Sequence, residues 1–364
     1  MAVQVALGLM SGTSMDGVDA AVVQTDGETI AAFGPTYFRS YSDDERALLR
    51  RALAEARGLT DRSARPGALA EAERMVADAH AEAVTALRLA HPTGSVDIVG
   101  FHGQTVLHAP ERRLTVQIGD GPALARRLGL AVAYDFRAAD VAAGGEGAPL
   151  VPVYHQALVR RAGLTGTVVV VNIGGVANIT RIAADGSLAA GDTGPGNALI
   201  DDFVRSRTAA PMDRDGTLAR AGRANKATLA RLLANPWFDR PLPKSLDRNA
   251  FSSAAVAALP TEDGVATLVA FTSRTIAKGI VMAGGADRVV VSGGGASNPA
   301  LMAALAADLP VPVTSAATLG WPPDFVEAQA FAYLAVRTRR GLPLTYPGTT
   351  GAPRPISGGV IAEP

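Results

Sequence analysis

The chain has 364 residues, 48% hydrophobic and 19% charged, with 34 Lys and Arg balancing 34 Asp and Glu. Zero net charge argues against nucleic acid or an anionic membrane surface as partner, and the lack of cysteine excludes disulfides, thiolate metal sites and cysteine nucleophiles. No Lys or Arg precedes the first apolar run, which breaks at Ser11-Gly12, so no signal peptide is expected; nor is any charge-free apolar stretch expected to span a membrane.

Single cores stop growing near about 250–300 residues, so two domains are expected. Residues 3–9 and 18–24 form two predicted strands around the loop Ser11-Gly12-Thr13-Ser14-Met15-Asp16-Gly17. Residues 37–57 are predicted as a loop and then a helix, and 68–89 as a long helix. A strand at 96–101 runs into His102-Gly103-Gln104-Thr105, expected as a loop facing substrate. A strand, a turn and a helix follow over 114–129, then a strand at 131–134 ending at Asp135-Phe136-Arg137. The pattern then restarts: a β-branched strand at 168–172, Gly174-Gly175, and a strand at 176–182. Two halves opening with the same strand–glycine loop–strand device suggest duplicated lobes. Helices are predicted over 197–207, 268–282 and 322–339, the last with Pro323 near its start. Residues 235–249 are expected to be irregular, and a strand at 289–292 to empty into Gly293-Gly294-Gly295. The tail from Leu342 is expected to be loop, either packed on the body or mobile. Strands alternating with helices argue an α/β architecture.

The opening loop holds more than a two-residue hairpin turn requires. Successive amides in a tight glycine-bearing turn converge on an anion; Gly12 and Gly17 would admit a phosphate, and Thr13 and Ser14 would donate hydroxyls. Asp16 and Asp19 repel phosphate directly and make sense with a divalent cation between. The loop is not a P-loop, and neither later glycine loop carries the dinucleotide spacing. Three such loops in two lobes fit a nucleotide in a cleft, at the carboxyl ends of strands. In Gly191-Asp192-Thr193-Gly194-Pro195-Gly196-Asn197, a turn presents Asp192 as a general base or a holder of metal-bound water; a helix cap is the plainer alternative. The five histidines show no i, i+4 zinc pair, and no Ser lies in the hydrolase elbow pattern.

Taken in order, the motifs Gly8 to Asp19, Phe101 to Thr105, Gln117-Ile118-Gly119-Asp120, Asp135-Phe136-Arg137 with Asp140, Gly147 to Pro152, Asn172 to Asn178, Gly191 to Asn197, Ser292 to Pro299 and Glu327 to Ala332 resemble the anhydro-N-acetylmuramic acid kinases. The segment around Pro243-Lys244-Ser245 and Arg248 matches that family only loosely. The resemblance implies a two-lobed ASKHA fold, duplicated as in actin and hexokinase, with ATP and Mg²⁺ in an interlobe cleft. A first lobe at 1–135 and a second at 136–364 are expected, with a tail free to pack on the first. The implied enzyme is cytoplasmic and homodimeric, opens 1,6-anhydro-N-acetylmuramic acid and phosphorylates its O6 in cell-wall recycling. Gly12, Thr13, Ser14, Met15, Asp16, Gly17, Val18 and Asp19 would hold phosphates, with Asp16 or Asp19 toward Mg²⁺. Gly174 and Gly175 would form a second phosphate hairpin, and Gly293, Gly294, Gly295 and Asn298 would lie against adenosine. Asp192 would activate water; His102, Gln104, Asp120, Asp135, Arg137 and Glu327 would form the sugar site, Arg137 being the candidate for the lactyl carboxylate. A kinase of the same fold acting on an ordinary sugar, and a nucleotide-gated module like actin, are the rival readings.

Overall fold

A computed structural model describes every residue except 1, 13, 93, 249 and 323. Thr13 and Pro323, named above, and Asn249, the last residue of the segment expected to be irregular, therefore lie outside the described residues. In chain order the strands are β1 (Gln4–Ser11), β2 (Gly17–Thr25), β3 (Ile30–Ser40), β4 (Ile98–Ala109), β5 (Leu114–Ile118), β6 (Val132–Tyr134), β7 (Val168–Ile173), β8 (Val176–Ile182), β9 (Leu188–Pro195), β10 (Arg288–Ser292), β11 (Val313–Ser315) and β12 (Val360–Ala362). The helices are α1 (Asp43–Ala56), α2 (Leu69–Ala90), α3 (Gly121–Leu128), α4 (Ala138–Ala142), α5 (Pro152–Arg161), α6 (Asn197–Arg207), α7 (Thr217–Ala221), α8 (Lys226–Leu233), α9 (Thr261–Met282), α10 (Pro299–Asp308), α11 (Val326–Arg339) and α12 (Pro347–Thr350).

The strands form two sheets of matching order, β12-β6-β4-β1-β2-β3 with β5 added beside β4, and β11-β10-β7-β8-β9. In each sheet an antiparallel meander, β1-β2-β3 or β7-β8-β9, continues through its first strand into parallel neighbours, β4 and β6 or β10 and β11. The duplication read from the glycine hairpins is thus present in the strand order. Val168 to Val171 are fully buried, as suits a strand covered on both faces. Helix α1 starts where Ser42 and Glu45 close a reciprocal capping box, the Ser-x-x-Glu signature of a helix N-terminus.

The chain divides into two compact units: unit 1 is the chain up to Arg161 together with Phe325–Pro364, and unit 2 is Ala162–Asp324. This moves the boundary expected at 135/136, placing 136–161 and 325–364 with the first sheet. The reasons are local. Arg161 on α5 donates to the carbonyls of Ile30 and Ala31. Strand β12 pairs with β6, so the tail is not all loop. Helix α11 lies flush on β1 and β4 because Gly8 and Gly100 lack side chains: a Cβ on Gly8 would stand 1.8 Å from the Ala328 carbonyl oxygen, and one on Gly100 2.0 Å from that of Phe331.

Asp140 fastens the C-terminal segment to unit 1. Its buried carboxylate accepts the Gly147 N–H at 2.7 Å, the Thr350 hydroxyl at 2.7 Å and the Thr345 hydroxyl. Asp140→Ala would leave these donors unpaired in the interior, at about 1–3 kcal/mol for each group that water cannot reach. We expect a loss of roughly 3 kcal/mol or more in urea unfolding; a change below about 0.5 kcal/mol would be the surface-like result that contradicts this role.

Unit 2 is built around α9. This helix begins at Thr261, earlier than the expected 268; by length and composition alone it is long and apolar enough to cross a membrane, but it carries Arg274 and Lys278 and is therefore not a charge-free apolar stretch. Its apolar residues Val265, Leu268, Phe271, Ile276 and Ile280 join the buried cluster that includes Val169, Phe203 and Val289, which accounts for the apolarity.

Candidate active site

In unit 1 the loop after β1 is held from beneath. Ser11 Oγ donates to Gln104 Oε1 at 2.5 Å, the Tyr41 hydroxyl lies 2.9 Å from Ser11 Oγ, and Gln104 Nε2 donates to the Gly12 carbonyl at 3.1 Å. Gln104 is fully buried with both ends of its amide engaged, so the structure makes it a strut under the loop and does not bring it to a sugar. Above it, Ser14 Oγ donates to Asp16 Oδ1 at 2.7 Å, both residues exposed, and Met15 takes a left-handed conformation with φ 55°. Val18, expected at the phosphates, buries its side chain in the unit 1 core, leaving only its backbone for that role.

Beside this loop, His102 and Gln104 lie within β4 rather than on the expected loop. The strand continues because Gly103, at φ 69°, lies where the pairing with β1 skips between Phe101 and Gln104; a Cβ there would come 2.5 Å from the Ile118 carbonyl oxygen. His102 Nδ1 pairs with the Gly103 carbonyl at 2.7 Å, so Nδ1 carries the proton and Nε2 accepts from Arg137 Nε and Nη2 at 3.2 and 3.0 Å. Burial, then the neighbouring guanidinium, hold the His102 pKa well below its ordinary value, fixing it neutral. Arg137 also donates from Nη1 to the Gly147 carbonyl at 2.8 Å, and burial lowers its pKa to about 10 despite the attraction of Glu327 and Asp140. The Glu327 carboxyl, at the first turn of α11, is pushed up by desolvation, against the pull of Arg137, although the residue keeps contact with solvent.

A recess of about 200 Å³ opens in unit 1 between Arg62, Ser63, Arg65, Phe101, His102, Gly103, Val116, Gln117, Ile118, Gly119, Tyr134 and Asp135. Of the expected sugar residues it gathers His102 and Asp135. Asp135 has φ 58°, uncommon for a residue with a side chain, and accepts from Arg62 Nη2 at 2.5 Å. Asp120 is drawn off to cap α3, accepting the Ala123 N–H at 2.8 Å. Arg62, Ser63 and Arg65 were not singled out in the sequence, because the loop between α1 and α2 carries no motif; Tyr134 was read only as the end of a strand.

In unit 2, Asp192 stands on β9 and not in a turn. Gly191 and Gly194 suggest a turn by composition, but they serve packing. A Cβ on Gly191 would meet Leu242 at 2.6 Å, and one on Gly194 would meet Thr275 at 2.7 Å. Segment 242–246 thus lies across β9, and its Leu246 N–H donates to Asp192 Oδ2 at 2.7 Å. Lys244 is buried and spent elsewhere, donating to the Trp237 and Phe238 carbonyls. Desolvation raises the Asp192 pKa to about 6, against the lowering effect of the Leu246 N–H. Asp192 pairs in register with Asn178, Asn178 with Asn172, and Asn172 with Ser292. A polar row therefore crosses β9, β8, β7 and β10, from the carboxylate to the start of the triple glycine; residues directly opposite on neighbouring strands share a face.

The glycines sort into two groups. A Cβ on Gly17 would stand 2.2 Å from the Arg39 carbonyl oxygen, one on Gly293 2.4 Å from Asn172 Oδ1, and one on Gly295 2.5 Å from Ile173. These three are required by the protein's own packing. At Gly12, Gly174, Gly175 and Gly294 the nearest atoms would be 3.7, 3.7, 3.4 and 3.6 Å away, ordinary contact, and none of the four has positive φ. No feature of the chain itself forbids a side chain there, which is what close approach by a ligand would produce. The Gly174 and Gly175 carbonyls are taken by the N-terminus of α6 through Gly196, Asn197 and Ala198. Asn197 Nδ2 donates to Ile173 and sits 3.6 Å from the Gly294 position, joining the two loops. Asn298 is committed to capping α10, accepting the Ala300 and Leu301 N–H groups, so its expected adenosine contact is not a free amide oxygen.

The family model for anhydro-N-acetylmuramic acid kinase matches residues 4–364. The chain belongs to the anhydro-N-acetylmuramic acid kinase family. It is 54% identical over 363 residues to the anhydro-N-acetylmuramic acid kinase of Nitrobacter winogradskyi, covering 99% of each chain. It is 53% identical to that of Methylobacterium nodulans, covering 99% of this chain and 100% of the relative. Among solved structures, gluconate kinase from Lactobacillus acidophilus superposes with a TM-score of 0.51 at 10% identity, over 93% of this chain and 90% of that one. That likeness shows the duplicated sugar-kinase fold.

For a kinase of the anhydro-N-acetylmuramic acid family, the donor set bears on the choice of cation. Among the described residues no group of three or more His, Cys, Asp or Glu gathers as a cation cage. Asp16 is exposed at the loop and Asp19 half-buried three residues on. One or two carboxylates beside this glycine loop fit Mg²⁺, which keeps most of its waters and leans on substrate phosphates, better than Ca²⁺, which takes six to eight oxygen ligands.

Proposed function

We propose that this protein uses ATP to open 1,6-anhydro-N-acetylmuramic acid and phosphorylate its O6, giving N-acetylmuramic acid 6-phosphate and ADP in peptidoglycan recycling. The observation that carries the chemistry is Asp192: a half-buried carboxylate with a pKa raised to about 6, held through one oxygen by a backbone amide. The substrate follows from family membership at more than half identity over the whole chain.

O6 of this sugar is tied to C1 as an internal ether and carries no proton. Water attacks C1 and gives its proton to Asp192. The C1–O6 bonding pair moves to O6, which attacks the γ-phosphorus of ATP as the bond to ADP breaks. Asp192 then releases the proton to solvent, so each turnover consumes one water and yields one proton. The γ-phosphoryl group captures the leaving O6, and no separate acid is needed. Asp135 and neutral His102 orient the sugar, Arg137 holds the His102 ring in place, and Glu327 belongs to the same unit. The Gly12–Asp16 loop and the Gly174 hairpin hold phosphates, and Gly294 faces the nucleoside. Asp16 and Asp19 would hold Mg²⁺, largely through water; when bound it neutralises charge on the phosphates. We further propose that the enzyme works as a cytoplasmic homodimer, without nucleic acid or membrane partners.

ADP release is the direct test. Turnover with 1,6-anhydro-N-acetylmuramic acid, and little with N-acetylmuramic acid or no sugar, is expected. Equal turnover of the open sugar would favour an ordinary sugar kinase. The pH profile is a second check. Water activation needs the Asp192 carboxylate, so kcat/KM should fall tenfold per pH unit below about 6. A profile flat down to pH 4.5 would remove Asp192 as the base.

A further inference from the structure

We propose that Arg62 reads the carboxylate of the lactyl ether and sets the preference for a muramic acid over the corresponding sugar without that acid; this rests on the function proposed above. The sequence pointed to Arg137 for that contact. In the structure Arg137 is spent: Nε and Nη2 face His102, and Nη1 donates to the Gly147 carbonyl. Arg65, on the same recess, is also engaged. Its Nε donates to Glu73 at 2.8 Å, and its Nη1 to the carbonyls of Arg62 and Ala64 at 2.7 and 3.0 Å.

Arg62 differs from both. Its side chain is 50% exposed at the recess, and among the described residues its one side-chain hydrogen-bond and ion-pair partner is the Asp135 carboxylate, through Nη2. A half-exposed ion pair of this kind contributes little to stability and is readily shared with an incoming anion. The guanidinium fork has a further edge to offer, and its geometry matches a carboxylate in a two-point contact. Its charge also cancels that of Asp135, which would otherwise repel an anionic substrate from a wall that the substrate must touch. Arg65 holds the Arg62 backbone by donating to its carbonyl, and the Glu73 carboxylate that anchors Arg65 also receives the Gly119 N–H at 3.3 Å. The recess floor and the arginine loop are therefore tied to one carboxylate.

The experiment compares kcat/KM for 1,6-anhydro-N-acetylmuramic acid with that for 1,6-anhydro-N-acetylglucosamine, which lacks the lactyl ether, in wild type, Arg62→Gln and Arg62→Gln/Asp135→Asn. Wild type should prefer the acid. In Arg62→Gln that preference should shrink by roughly 10–100-fold, through KM for the acid, the scale of a charge-assisted contact. In the double variant the preference should stay lost. Restored preference there would mean that Asp135 merely repels once uncovered, and would overturn the proposal. An equal loss for both sugars, or a loss in kcat alone, would also overturn it. Absence of wild-type turnover on either anhydro-sugar would instead refute the underlying function.

Discussion

Asp192→Asn is expected to lower kcat by about 10²–10⁴-fold, the usual worth of a positioned general base, without destabilising the fold. The substitution keeps an oxygen to accept the Leu246 N–H but cannot take a proton from water. The stability half of this expectation follows from the direction of the pKa shift. A carboxyl whose folded value, about 6, lies above its unfolded one favours folding at low pH, and that contribution is lost as pH rises through about 6. At pH 7.5 the ionised group is therefore a cost, set by desolvation, and the neutral amide avoids it. Wild type and variant should unfold at equal urea concentration at pH 7.5, or the variant later. A variant that is inactive because it is unfolded would contradict this reading, and one retaining more than a tenth of kcat would void the assigned role.

The second large effect separates glycines by purpose. Gly175→Ala is expected to raise KM for ATP by roughly 10–100-fold, since misplacement by about 1 Å at a phosphate is felt on that scale, and to leave unfolding within about 0.5 kcal/mol of wild type. Gly17→Ala should do the reverse in kind. Its methyl group would stand 2.2 Å from a backbone carbonyl oxygen of β3, so the β2–β3 pair must separate, at about 3 kcal/mol as severe overpacking. Urea unfolding and ATP titration of both proteins decide the matter. Loss of stability in Gly175→Ala, or an undisturbed Gly17→Ala, would contradict the division into ligand-facing and packing glycines.

These two groups look alike in the sequence, which explains much of what was and was not legible there. Gly12 and Gly17 both belong to the opening loop, yet only the β2–β3 register, placing Gly17 opposite Ser40, reveals why the second is glycine. The repeated hairpins were visible because β1, β2, β7 and β8 are buried and bounded by glycine. Strand β3 was missed because Gly34 and Pro35 interrupt it and most of it is half-exposed. Strand β9 was read as a turn because its three breakers, Gly191, Gly194 and Pro195, answer to chain crossing it from 242–246. For the candidate site, Asp192, His102 and the glycine loops were singled out from local motif, and Asp135 through the family resemblance. Gln104, Asp120 and Asn298 carry the same motifs but turn inward as a strut and two caps. Arg62 meets Asp135 across 73 positions of sequence, a pairing that no single motif encodes.

The most direct test of the coupled reaction is the source of the C1 oxygen. The enzyme would be given Mg-ATP and 1,6-anhydro-N-acetylmuramic acid in ¹⁸O-water, and the product analysed at early times. Ready-made N-acetylmuramic acid 6-phosphate in the same water sets the background exchange at C1. One solvent oxygen at C1 per ADP formed, well above that background, with none in the phosphoryl group, is the expected result. Label at background level, or label in the phosphoryl group, would contradict water attack at C1 coupled to transfer onto O6.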